Sequence, residues 1–212
     1  KLFKLTKGGN LYYTITPNAA APTWTVADSG YSLNNFAVDT INSLELYRDA
    51  AQDYVIYAAT KHGLWAYDFA NLKWEKTELS MPNHATAGKG MVHWRTGLYV
   101  SSGLQVDRYI AADTAQIDSV GLNRDDGLPT TRGGEIVKFI QGYDEFFALV
   151  DSTYEGATSR STIMSYNENG WRCVWEETAD NKAMYSGIVT SVVRHQLIFA
   201  SASGVYWIPL TN

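Results

Sequence analysis

A single cysteine, Cys173, occurs in the 212 residues, which excludes an internal disulfide and any metal site built from several cysteines. No stretch approaches the ~20 apolar residues of a membrane-crossing helix. No charged segment followed by an apolar core reads as a signal peptide. The chain starts at Lys1 and not at methionine, as a fragment or a processed product would, so the compartment stays open between cytoplasm, virion and cell exterior. Lysine and arginine number 17 against 22 acidic residues, with no basic run, and a partner that needs a basic stripe, nucleic acid above all, is excluded. Nucleophile elbows, phosphate-cradling glycine loops, dinucleotide fingerprints and short histidine metal spacings are all missing, and no cofactor is expected. Helical periodicity is weak everywhere and discernible only around 111–116.

What the sequence does hold is aromatic residues, 13% of the chain with 14 tyrosines and 7 tryptophans, in a pattern that repeats. The pattern is a strand, a tight glycine turn, an aromatic strand, a polar turn and a strand carrying tryptophan. Its clearest copy runs from Tyr54 through the turn at Lys61-His62-Gly63 to Leu79. Other copies begin at Leu2, Leu98, Phe146 and Leu197, and the aligned second strands start at Leu11, Leu64, Leu104, Ile163 and Val205. The intervals, 53, 40, 59 and 42 residues, scatter around the roughly 40 to 50 residues of a propeller blade. One more strand precedes each complete triplet, starting at Ser43, Met91, Ile136 and Ile188. Four antiparallel strands per repeat predict an all-β propeller of about five full or partial blades. The expected divisions of this single domain are a partial blade over 1–30, blades over about 31–82, 83–122 and 123–178, and a partial blade over 179–212. The first copy begins at its second strand and the last stops at its third, so the two partial blades do not sum to one. The alternatives are a piece of a larger propeller or an irregular five-bladed closure.

The run Asp126-Gly127-Leu128-Pro129, with a Gly-then-Trp strand turn, resembles the propeller repeats of two-component-regulator sensors and related seven-bladed modules. The longer run from Gly121 to Pro129, followed by Gly134-Glu135-Ile136-Val137 and Gly170-Trp171, resembles propeller-like structural proteins of tailed phages. Both likenesses rest on loop and turn residues over about half the chain. With the repeat architecture, the missing catalytic motifs and the acidic, disulfide-free composition, they lead to the expectation of a non-enzymatic interaction or structural module in a virion or other large assembly, with a protein or glycan partner; charge and hydropathy add no nucleic acid and no membrane.

In a four-stranded blade the connections into the blade and those between its second and third strands share one face. That face collects the long polar loops, where binding concentrates on a rigid scaffold. Its candidate binding residues are His62, His84, Arg124, Asp125, Asp126, Arg132, Arg160 and Asp180. Arg124-Asp125-Asp126-Gly127 reads either as a cation- or sugar-binding loop or as an Asp-Gly turn. Without the alternating ligands and closing glutamate of a calcium loop the turn is the better reading. His93 and His195 fall within or at the end of strands and read as structural. Trp24, Trp74, Trp171 and Trp175 read as residues that pack between blades, and Cys173, between two tryptophans, as a buried thiol. The rival function is a propeller glycosidase or lyase drawing on Asp28, Asp125, Asp126, Glu155 and Asp180.

Overall fold

The computed structural model describes residues 1–5, 11–26, 41–48, 54–71, 73–81, 86–111, 116–122, 134–151, 160–190 and 195–210. Among these there are eighteen strands and no helix. The first sheet contains β1 (Leu2–Leu5), β2 (Leu11–Thr14) and β3 (Thr25–Val26). The second contains β4 (Ile41–Arg48), β5 (Tyr54–Thr60), β6 (Gly63–Asp68) and β7 (Lys73–Ser80). The third contains β8 (Met91–Trp94), β9 (Gly97–Ser102), β10 (Gln105–Ile110) and β11 (Gln116–Ser119). The fourth contains β12 (Glu135–Gln141), β13 (Phe146–Asp151), β14 (Thr162–Tyr166) and β15 (Trp171–Glu176). The fifth contains β16 (Met184–Val189), β17 (Gln196–Ser201) and β18 (Gly204–Pro209). Every pairing is antiparallel between consecutive strands. The innermost strands β4, β8, β12 and β16 neighbour one another in chain order, and their sheets fan outward from them, as in a propeller.

Alternation along each strand gives the second, third and fourth sheets two apolar faces, one toward the preceding sheet and one toward the next. Trp65, Tyr67 and Trp74 of the second sheet meet Phe3 and Tyr13 of the first, while Tyr47, Tyr57 and Leu64 meet Leu98, Val100 and Tyr109 of the third. Between the third and fourth sheets the filling is aromatic: Trp94 and Tyr99 face Phe139, Phe146, Tyr166 and Trp171. Phe146 lies 4.8 to 5.5 Å from the rings of Tyr99, Phe139, Tyr166, Trp171 and Trp94, in tilted and edge-on arrangements. Such ring pairs each contribute about 0.5 to 1.5 kcal/mol beyond area burial. Among the described residues no core cluster joins the first sheet to the fifth.

A backbone device recurs at the start of each inner strand. Registers slip by one residue between Ile41 and Ser43, Ile136 and Lys138, and Met184 and Ser186. In the third sheet Ser101 pairs with both Gly88 and Gly90, leaving Lys89 as the extra residue. A bulge at each site increases local twist and turns the strand into the middle. Gly88 adopts φ of 76° there, and a Cβ on it would lie 2.6 Å from Cβ of Ala59.

Two expectations need correcting. Cys173 is exposed on β15, the outer edge strand of its sheet, and its Sγ reaches the Trp175 carbonyl oxygen at 3.4 Å. A register slip between Ile163 and Met164 shifts the strand's alternation, and the inward places go to Trp171 and Trp175. The strand expected from Ile188 begins at Met184. Gly187 is required there by close approach: a Cβ would sit 2.5 Å from Ile140 Cδ1 and 2.8 Å from the Ile198 oxygen.

Candidate functional site

Strand alternation puts on one face the connections β5–β6, β9–β10, β13–β14 and β17–β18, together with the connections that lead into each inner strand. Arg160 ends the β13–β14 connection and Asp180 lies in the β15–β16 connection. The structure joins them: Arg160 Nε donates to Asp180 Oδ1 at 3.1 Å, and Nη1 donates to Glu176 Oε1 at 3.2 Å. All three side chains are substantially open to solvent. An exposed ion pair of this kind contributes about 0 to 1 kcal/mol, so the cluster adds surface charge pattern more than stability.

What fixes the cluster lies beneath it. Glu177 is buried, with Oε1 accepting from the backbone N–H of Thr178 at 2.9 Å and Oε2 accepting from Ser201 Oγ at 2.7 Å. Burial alone would push its carboxyl up, but the bonds from Ser201, Ala179, Ser203 and Thr178 outweigh it and hold the group below the usual carboxylate range. The backbone N–H of Glu177 donates to the Ser161 carbonyl at 2.9 Å, and Ser161 Oγ donates to the Lys182 carbonyl. The β13–β14 and β15–β16 connections are thus tied to each other, and the second to β17 of the fifth sheet, by hydrogen bonds below an exposed arginine and two carboxylates. Glu176 and Glu177 escaped the sequence reading. The available signal was a pair of glutamates at a strand end, where successive side chains take opposite directions, one outward and one into the fold.

His62 belongs to the turn of the second sheet, its backbone N–H donating to Thr60 Oγ1 at 3.2 Å. His84, Arg124, Asp125, Asp126 and Arg132 lie outside the described residues, as do Asp28 and Glu155. Among the described residues no group of three or more His, Cys, Asp or Glu side chains could hold a metal ion. His93 lies in β8, its ring edge-on to Tyr47 with centroids 4.9 Å apart and Nε2 3.0 Å from the Arg95 carbonyl oxygen. Trp175 packs on Phe199 and Tyr206 of the fifth sheet.

Two further features lie away from the Arg160 cluster. A polar cleft of about 350 Å³ runs between the third and fourth sheets, bordered by Gln105, Ser119, Glu168 and Asn169. Its aromatic floor, Tyr166 and Trp171, is buried, and Trp171 Nε1 donates to the Val120 carbonyl at 2.6 Å, so neither ring is offered as a stacking platform. Glu45, on β4, accepts from the His93 backbone N–H, and burial pushes its carboxyl up to about 7, the backbone bond opposing only in part.

No protein-family model matches the chain, and no curated protein matches its sequence. Solved structures do share the fold. Two crystal structures of the extracellular domain of BT4673 from B. thetaiotaomicron, described in one case as a one component system and in the other as a hybrid two component system, superpose with TM-scores of 0.62 and 0.60. Identity is 15% in both, and the match covers 96% of this chain but 26% of theirs, so the chain spans about a quarter of the neighbours' length. Neither neighbour is a phage protein, and that half of the sequence resemblance finds no support here. The chain is similar in fold to an extracellular domain of a regulatory system, an all-β array of antiparallel sheets.

Proposed function

We propose that this chain is a non-enzymatic propeller module that binds a protein or glycan partner through its loop-bearing face, centred on Arg160, Glu176 and Asp180. The observation that carries the proposal is the mounting of an exposed charged cluster by the buried Glu177–Ser201 bond and the part-buried Ser161–Lys182 bond. Binding surfaces need such pre-organisation, since immobilising a mobile side chain on binding costs about 0.5 to 1.5 kcal/mol. The fold shared with extracellular domains of one- and two-component systems supports an extracellular setting as part of the proposal. His62, His84, Arg124, Asp125, Asp126 and Arg132 extend the same face in this reading. The single-domain division into partial blade 1–30, blades 31–82, 83–122 and 123–178, and partial blade 179–212 belongs to it as well.

The glycosidase or lyase alternative has little to draw on at the described site, where Asp180 is paired with Arg160. The test is a glycan array and a displayed-peptide screen with the parent chain and with Arg160→Glu. Saturable binding by the parent that the variant loses, at unchanged melting temperature, is the expected outcome. Turnover of chromogenic glycosides by the parent would overturn the non-enzymatic reading, and binding that ignores Arg160→Glu would move the site elsewhere.

A further inference from the structure

Asn169 is the only asparagine of the chain that is followed by glycine, and it lies in the connection between β14 and β15. Glu168 and Asn169 are exposed there, Glu168 with φ of 71°. Gly170 adopts φ of 129°, and a Cβ built on it would meet nothing within 4 Å. Asn169 donates its backbone N–H to Asn167 Oδ1 at 3.2 Å, but among the described residues its side chain makes no hydrogen bond. Its carboxamide is thus free to turn, and the residue after it has open space and no side chain. Other asparagines are held. Asn42, followed by Ser43 in β4, is half-buried, and its Nδ2 donates to the Ala87 carbonyl at 2.6 Å, while Ser43 Oγ donates to the Gly88 carbonyl. Asn71 Nδ2 donates to Asp68 Oδ2 at 2.7 Å.

We propose that Asn169 is a modification site, at which the folded protein deamidates spontaneously by ring closure onto Gly170. The Gly170 backbone nitrogen gives up its proton to hydroxide and attacks Cγ of Asn169, forming an N–Cγ bond. The Cγ–Nδ2 bond breaks, and the nitrogen leaves as ammonia with a proton from water. Water then opens the cyclic imide at either carbonyl. Attack at Cγ breaks the new bond and leaves aspartate with the original backbone. Attack at the backbone carbonyl breaks the original peptide bond and leaves an isoaspartyl linkage through Cγ. In sum an amide and a water become a carboxylic acid and ammonia, with no oxidation or reduction and no enzyme.

The place of Asn169 in the fold gives the reaction a consequence. Glu168 and Asn169 border the polar cleft of about 350 Å³ between the third and fourth sheets, and Glu168 is ion-paired with Arg95 of the β8–β9 turn. Deamidation exchanges an amide that donates hydrogen bonds for a carboxylate that only accepts them, beside a carboxylate already present. The chain becomes one charge more negative than its formal -5. An isoaspartyl product also adds a backbone carbon between Tyr166 and Trp171, which pair across β14 and β15, and Trp171 Nε1 is the donor to the Val120 carbonyl across the cleft. The cleft therefore presents a different surface in fresh and in aged protein. Nothing in this depends on the function proposed for the loop-bearing face.

The test holds the full chain at mildly alkaline pH in water enriched in heavy oxygen, both native and unfolded in urea. Samples taken over time are digested at acidic pH, and mass spectrometry reads conversion at each asparagine, with isoaspartate and aspartate separated by chromatography. In the native chain Asn169 should convert at least about tenfold faster than Asn42, and within about tenfold of its own rate in urea. Solvent oxygen should appear in the new carboxyl group. Ion exchange should show a growing acidic species whose aspartyl component elutes with the Asn169→Asp variant, and Asn169→Gln should not form it over the same interval. A native Asn169 rate no greater than that of Asn42, a native rate more than about tenfold below the rate in urea, or an acidic species undiminished in Asn169→Gln would each overturn the assignment.

Discussion

The junction between the third and fourth sheets and the outer face of the fifth are made of the same kinds of residue in very different states. At the junction Trp94, Phe146 and Tyr99 are almost wholly removed from solvent. On the fifth sheet Ile188, Val205 and Trp207 are 63, 74 and 62% exposed, although Ile188, Ile198 and Trp207 line up across β16, β17 and β18 just as core rows do. The opposite face of that sheet, with Leu197 and Phe199, is buried against the fourth. Strand composition is alike on both faces. What differs is whether another sheet lies alongside, so burial here belongs to the pair of sheets and not to the strand, as in other stacked repeats.

The largest expected effect sharpens that contrast. Phe146→Ala should cost about 3 to 5 kcal/mol in equilibrium denaturation, because five aromatic neighbours lose a common partner. Val205→Ala, also in a strand and also apolar, should change stability by less than about 0.5 kcal/mol. Comparable losses at both sites would mean that the face of the fifth sheet is covered in solution.

An intermediate effect comes from Glu45, half-buried on β4 and bonded to the His93 backbone N–H of the third sheet. Folding raises its pKa to about 7, so the native state holds the proton more tightly than the unfolded chain does. The associated stability is complete below the ordinary value near 4.5 and is lost as pH rises through 7, at most about 3 kcal/mol by pH 8. Glu45→Gln should flatten this slope and be the more stable protein at pH 8. A parent whose stability does not fall between pH 5 and 8 would place Glu45 in water. The smallest effect belongs to the rim: Arg160→Ala should cost no more than about 1 kcal/mol, measured by the same denaturation, since its partners are exposed.

Much of this architecture was legible because it is carried by side chains with a period. The glycine turn at Gly63 recurs at Gly103 and Gly204 and the tryptophan of β7 at Trp171 of β15, and with the alternation of apolar residues they place the second, third and fourth sheets within a few residues. The bulges of the inner strands were not legible. Their extra residues, Asn42, Lys89, Val137 and Tyr185, share no chemistry, because a bulge is a property of backbone pairing. At the candidate site, Arg160 and Asp180 could be assigned to one face from connection parity alone. The buried Glu177 beneath them could not, since its role depends on Ser201, a residue of the next sheet.

The tryptophans test the central claim most directly. Trp74 lies opposite Tyr67 and Trp171 opposite Tyr166, both turned toward the preceding sheet and 3 and 7% exposed. Trp24, at the matching place before β3, is half-buried, with Lys4 Nζ 4.0 Å from its ring centroid and no preceding sheet among the described residues. Denaturation of Trp24→Ala, Trp74→Ala and Trp171→Ala in parallel should give about 3 to 5 kcal/mol of destabilisation for the last two and about 1 kcal/mol or less for the first. Three equal losses would contradict the account, because burial would then follow position in the repeat and not the presence of a neighbouring sheet.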